Sequence, residues 1–150
     1  MIKKSDVAAA SLGCCVAIII WNTLLKRKVG IEGAPILPPF HAFQSAWRDI
    51  RRDGVFGNFI GNICMFVPIG FFLPMISNAF QKWYRVFLIG SLFSFVIEVT
   101  QLLTARGYFE SDDVILNVIG VMTGYFFCVQ INRLNREKQK SGGELGRKND

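Results

Sequence analysis

The sequence predicts an all-α fold, an integral membrane bundle of four transmembrane helices with one long and two short connections. Three observations carry this reading. Hydrophobic residues make up 51% of the 150 residues and charged ones 19%, and the charges are gathered into a few clusters. Between those clusters lie four charge-poor runs of about 18 to 20 residues, each long enough to cross ~30 Å of hydrocarbon. Within the runs, the polar residues recur at helical spacing. A secreted disulfide scaffold, a disordered chain and an ordinary soluble enzyme are thereby excluded. The length suits one domain over residues 1–131, followed by a polar tail, 132–150, that is expected to be disordered.

The first run, residues 7–25, is flanked by Lys3 and Lys4 before it and by Lys26, Arg27 and Lys28 after it. A basic start and an apolar core also describe a signal peptide. This core is long, however, and no small-x-small cleavage pattern follows Leu25, so the run reads as a retained anchor with Trp21 near its interfacial end. In the first loop, Pro35, Pro38 and Pro39 predict extended chain. Phe40, Phe43, Trp47 and Ile50 then recur at i, i+3, i+7 and i+10, with Arg48, Arg51 and Arg52 on other faces. That pattern predicts a short amphipathic helix, lying either in the membrane interface or over the mouth of the bundle. The second run covers 59–76 and contains Pro68, tolerable where neighbours satisfy the freed carbonyl. The third and fourth cover 84–103 and 114–131, and short polar turns make the last three helices antiparallel neighbours.

The formal net charge of +6 would suggest nucleic acid in a soluble protein. Here the basic residues stand beside apolar runs, where they orient helices and meet anionic headgroups, so membrane lipids are the expected partners and nucleic acid is not. Ten of the 17 Lys and Arg fall in the N-terminus, the second loop and the tail, which predicts that both termini lie inside. Cys14, Cys15, Cys64 and Cys128 lie in apolar runs with no His or Cys at metal spacing, and read as packing thiols; the adjacent Cys14 and Cys15 could carry lipid. No motif implies a cofactor or a metal.

Polar residues inside a membrane are costly and therefore informative. Ser91, Ser94, Glu98 and Gln101 form one stripe on the third helix. Glu98 lies about five residues before the helix end, roughly 7 to 8 Å below the rim. At that depth it must face the bundle interior, be protonated or pair with a cation. The fourth helix opens with Asp112 and Asp113, suited to a helix N-terminus, and Asn117 follows one turn later. Asn58 and Asn62 share a face of the second helix. Antiparallel threading gathers Asn58, Asn62, Glu98, Gln101, Arg106, Asp112, Asp113 and Asn117 at one rim, which the orientation turns outward. Gly57, Gly61, Pro68, Gly70, Gly120 and Gly124 are the residues expected at helix contacts, the first and last pairs as small-xxx-small motifs. The rim cluster could be interhelical hydrogen bonds and caps, with Arg106 pairing a carboxylate. Three helices each offering several polar groups at one level favour a pocket instead.

At these residues the sequence resembles the VanZ-like family of bacterial membrane proteins. The resemblance rests on Asn62-x-x-x-Phe66-x-Pro68-x-Gly70, Glu98-x-x-Gln101, and Asp112-Asp113 followed by Asn117 and Gly120, in this order over roughly residues 36–127. Two departures concern loops: Ile36 stands near an Asn usual in the family, and the Arg106 turn is lengthened by Gly107, Tyr108, Phe109 and Glu110. The resemblance implies a multi-pass protein of the bacterial cell membrane, in a family associated with resistance to the glycopeptide teicoplanin, or with an envelope function to which resistance is incidental.

Two functions follow as expectations. The first is binding, without catalysis, of an amphiphilic molecule such as a lipoglycopeptide or a lipid-linked envelope precursor, with Trp47, Tyr108 and Phe109 near the polar pocket. The alternative is a membrane-embedded enzyme acting on a lipid-linked substrate, with Glu98 and Asp112 or Asp113 as acid/base groups or metal ligands. The chain has a single histidine, His41, and no nucleophile motif. A proton pathway is the weakest reading, because below the rim the fourth helix is apolar apart from small residues and Thr123. The glycine faces also suit a homo-oligomer.

Overall fold

The computed structural model describes residues 3–26, 36, 37 and 55–147, with 55–58 and 142–147 described by backbone alone. The described residues form four long helices: α1 (Lys4–Ile20), α2 (Val55–Ile76), α3 (Trp83–Leu103) and α4 (Ser111–Arg147). Each contains a stretch long and apolar enough to cross a membrane. Two-residue strands β1 (Ile36–Leu37) and β2 (Phe109–Glu110) pair in parallel, Ile36 opposite Phe109 and Leu37 opposite Glu110. The amphipathic helix expected around Phe40 to Ile50, and His41 within it, lie outside the described residues.

α1 ends in a π-helical turn, Trp21–Leu25. Asn22 and Thr23 turn their side chains back onto the carbonyls of Ile18 and Ile19, at 2.9 and 2.7 Å. Such back-bonding competes with the regular ladder and disturbs the last turn. α2 runs through both Pro68 and Pro74 without interruption. A 3₁₀ turn, Asn78–Gln81, joins it to α3. Tyr125 of α4 donates its hydroxyl to the Gln81 carbonyl at 2.6 Å and so ties this turn to the last helix.

Among the described residues α2 and α4 share the most extensive interface, α1 packs on α2, and α3 packs on α4. A Cβ added at Gly70 would lie 1.7 Å from the Val121 carbonyl oxygen, at Gly120 2.2 Å from that of Ile63, and at Gly124 1.9 Å from that of Val67. The two backbones therefore touch, as small residues at membrane helix contacts permit. Gly90 on α3, which the sequence pattern does not single out, admits the Val121 side chain in the same way. Gly61, expected among the helix contacts, differs: no described residue stands within 4 Å of a Cβ there. Gly57 and Asn58 fall within the part of α2 described by backbone alone.

Ile19, Phe66, Ile69, Leu73, Val86, Ile97, Val121 and Tyr125 form the core. Outside it, Leu88, Leu92, Phe95 and Val96 of α3 and Phe126 and Phe127 of α4 are exposed. A bundle apolar on both its inner and outer surfaces is one built for lipid. Of the four cysteines only Cys128 is buried; Cys14 and Cys64 face outward, so the reading of all four as buried thiols holds for Cys128 alone.

The last helix differs most from expectation. The polar composition of residues 132–150 predicts disorder, whereas α4 continues to Arg147, the last described residue. This segment is rich in Arg, Glu, Lys and Gln, which lose little freedom in a helix. Arg133 and Glu137 form an i, i+4 ion pair at 3.1 Å, a few tenths of a kcal/mol of further support.

Candidate functional site

The polar stripe of α3 is turned inward from Ser94 onward, while Ser91 is half-buried. Ser94 is 0% exposed, Glu98 2% and Gln101 1%, and Asn117 of α4 is 4% exposed opposite them. Burying such groups in an apolar bundle costs stability unless each finds a partner, so their partners define the site.

The site has two layers. In the lower one, Asn117 Nδ2 donates to Ser94 Oγ at 2.9 Å. Asn117 Oδ1, equally buried, has no hydrogen-bond partner among the described residues. In the upper layer, one helical turn nearer the rim, the Glu98 carboxylate accepts the backbone N–H of Glu110 at 3.2 Å. Gln101 Nε2 donates to the Thr23 carbonyl at 3.2 Å, and Arg106 Nη1 donates to the Leu24 carbonyl. Those two carbonyls belong to the last turn of α1, whose acceptors have no partner within the helix. Gln101 and Arg106 thus cap α1 from outside, and the Arg charge complements the negative end of its dipole. The only ion pair among the described residues is Arg133–Glu137, so Arg106 caps a helix rather than pairing a carboxylate across the turn.

The chain geometry at Arg106 explains its placement. α3 ends in a Schellman turn: Arg106 N–H reaches the Gln101 carbonyl at 2.9 Å and Ala105 N–H the Leu102 carbonyl at 3.2 Å. This requires Ala105 at φ 51°, a left-handed conformation usually given to glycine. From there Gly107 is buried, and β2 brings the Glu110 N–H over Glu98 while pairing with β1 of the long first loop. The residues that lengthen this turn are the ones that supply the hydrogen bond to Glu98.

Of the sequence-predicted residues, Glu98, Gln101, Arg106 and Asn117 converge as described. Asp112 and Asp113 occupy the first turn of α4, Asp112 buried and Asp113 half-buried, and both are engaged in further interactions, as are Glu98 and Gln101. Asn62 is half-buried on α2. Sequence reasoning missed the end of α1 and the Glu110 N–H. The first could have been found, since alternating threading puts residues 21–25 at the same rim; a backbone donor in a turn leaves no residue-type signal. Among the described residues no three His, Cys, Asp or Glu side chains come together to hold a metal ion, so the metal-ligand version of the enzyme reading finds no ligand set there.

The family model described as VanZ/LLP1 matches residues 12–132, most of the chain and every residue described at this rim. The protein belongs to the VanZ/LLP1 family. No curated protein and no solved structure matched in the corresponding comparisons. The VanZ/LLP1 match begins within α1, which the motif segments alone did not cover, and ends at Asn132, where α4 passes into its charged extension.

Proposed function

We propose that this VanZ-like membrane protein binds the polar head of an amphiphilic or lipid-linked molecule at the rim where α1, α3 and α4 meet, without breaking bonds in it. Both termini lie in the cytoplasm of a bacterial cell and the rim faces outward. The ligand class is that of a lipoglycopeptide such as teicoplanin or of a lipid-linked envelope precursor, consistent with the family's association with teicoplanin resistance.

One observation carries the reading. Asn117 Oδ1 is the one buried side-chain polar atom among the described residues that has no hydrogen-bond partner there, although its own Nδ2 is bonded to Ser94. An orphaned acceptor of this kind costs ~1 to 3 kcal/mol, which a purely structural hydrogen bond to Ser94 would not repay. A ligand donor reaching this level would satisfy it, and the Glu98 and Arg106 layer above would hold the polar head.

The test is drug susceptibility in a sensitive Gram-positive host expressing the wild type, Asn117→Leu or Glu98→Gln at matched membrane levels. Teicoplanin is compared with vancomycin, since a lipid-tailed and an untailed drug separate amphiphile handling from a change in wall precursors. Selective teicoplanin protection is expected from the wild type, lost in Asn117→Leu and partly kept in Glu98→Gln, whose amide oxygen still accepts from Glu110. Complete loss in Glu98→Gln with intact Asn117→Leu would favour acid/base chemistry at Glu98 and refute binding alone. No protection by the wild type would detach the protein from glycopeptides.

A further inference from the structure

At the end of the bundle opposite the rim site, a groove of about 380 Å³ opens between α2, the 3₁₀ turn and the extension of α4. That volume lies in the range of small-molecule sites. Its floor is apolar, made by Pro74, Tyr125 and Val129. Above the floor stand three cations, Arg133, Arg136 and Lys140, at i, i+3 and i+7 and so on one face of α4. The anion of the groove, Glu137, is bridged to Arg133 at 3.1 Å. Among the described residues, Arg136 and Lys140 have no ionic partner. Like charges four residues apart on a helix repel, and here both line a concavity rather than a convex surface. The groove straddles the boundary between the apolar stretch of α4, ending near Ile131, and its charged extension. The 3₁₀ turn that walls it is held in place by the Tyr125 hydroxyl on Gln81 and by Arg85 on the Ala79 carbonyl at 3.0 Å.

From this juxtaposition we propose that the groove is a binding site for the phosphate headgroup of an anionic phospholipid, whose acyl chains run along the apolar surface of α2 and α4. A preformed cavity with an excess of positive charge above an apolar floor matches a molecule with a phosphate at one end and hydrocarbon at the other. The site is independent of the rim, at the other end of the helices.

The experiment uses the full chain purified in detergent, with retained lipid read by native mass spectrometry after addition of phosphatidylglycerol or phosphatidylcholine of identical acyl chains. Wild type is expected to retain phosphatidylglycerol selectively. R136Q/K140Q is expected to weaken that retention about 30-fold, while K3Q/K4Q, which removes the same charge at the same end of the bundle but outside the groove, changes it less than about threefold. If the double variant loses its helical circular dichroism, R136Q and K140Q alone are each expected to cost about fivefold. Equal losses in the two double variants would reduce the effect to general surface charge and overturn the site. Equal retention of the two lipids would overturn it as well. Displacement of the lipid by millimolar inorganic phosphate would assign the groove to free phosphate instead.

Discussion

Substituting Gly124 by alanine tests the packing on which the whole arrangement rests. The new Cβ would stand 1.9 Å from the Val67 carbonyl oxygen and 2.9 Å from the Phe71 nitrogen. Ordinary contact begins near 3.4 Å, so the carbonyl must retreat by about 1.5 Å. Both clashing groups are backbone, and neither can move without its helix. A gap of 0.5 to 1 Å already forfeits a quarter to a half of a dispersion contact, so separating α2 from α4 this far loses much of their interface. We expect a cost near the upper end of overpacking, ~3 kcal/mol, offset by up to ~1 kcal/mol of helix propensity gained over glycine. Gly61→Ala gains the same propensity and meets no described residue within 4 Å, so the difference between the two variants isolates the clash. Thermal unfolding in detergent, followed by circular dichroism, should put Gly124→Ala about 4 to 8 °C below wild type and Gly61→Ala at or slightly above it. A Gly124→Ala protein that melts with the wild type, or a Gly61→Ala protein that melts below Gly124→Ala, would refute the close approach of α2 and α4.

Two further outcomes are expected from the turn after α3. Ala105→Gly relieves a left-handed alanine and should raise stability by about 0.5 kcal/mol in the same melts, the strain released slightly exceeding the entropy glycine adds to the unfolded chain. Arg106→Gln removes a charged donor from the end of α1 and should cost ~1.5 to 3 kcal/mol; cysteine pairs across the α1–α3 contact would then form a disulfide more slowly, and an unchanged rate would deny that Arg106 holds α1.

The helices were legible because the constraint behind them is crude and strong: a run of apolar residues long enough for a bilayer has few alternatives to a helix. Thus residues 84–103 and the observed Trp83–Leu103 differ by one residue. The inward stripe of Ser94, Glu98 and Gln101 was legible for the same reason, since a polar face has one acceptable direction in lipid. What escaped the sequence depends on backbone and on neighbours. Gly61 and Gly124 look alike as small-xxx-small glycines, and only the relative placement of α2 and α4 makes one a contact and leaves the other open. Arg106 looks like a partner for Asp112 or Asp113, but two carbonyls at the frayed end of α1 offer acceptors that cost no second buried charge. The extension of α4 is helical although polar, because the Arg, Glu, Lys and Gln residues between 133 and 140 are good helix formers continuing a helix already nucleated.

The contacts between α2 and α4 also bear on how the rim can be probed. Asn117 lies three residues before Gly120, whose approach to the Ile63 carbonyl fixes how α4 is seated against α2. The same helix carries Val121, which fills the space opposite Gly90 and fixes α4 against α3. The position of Asn117 relative to Ser94 is therefore set by glycine contacts less than one and a half turns away. Any substitution that widens those contacts would move Asn117 from Ser94 and disturb the rim without touching it. Loss of function in a glycine variant accordingly says nothing about ligand recognition. Asn117→Leu narrows this ambiguity: it removes an acceptor that has no partner among the described residues, together with the hydrogen bond to Ser94, two effects of opposite sign on stability, and leaves the helix contacts in place. Its stability should stay within about 1 kcal/mol of wild type, so that a loss of function there reports on the ligand and not on the fold.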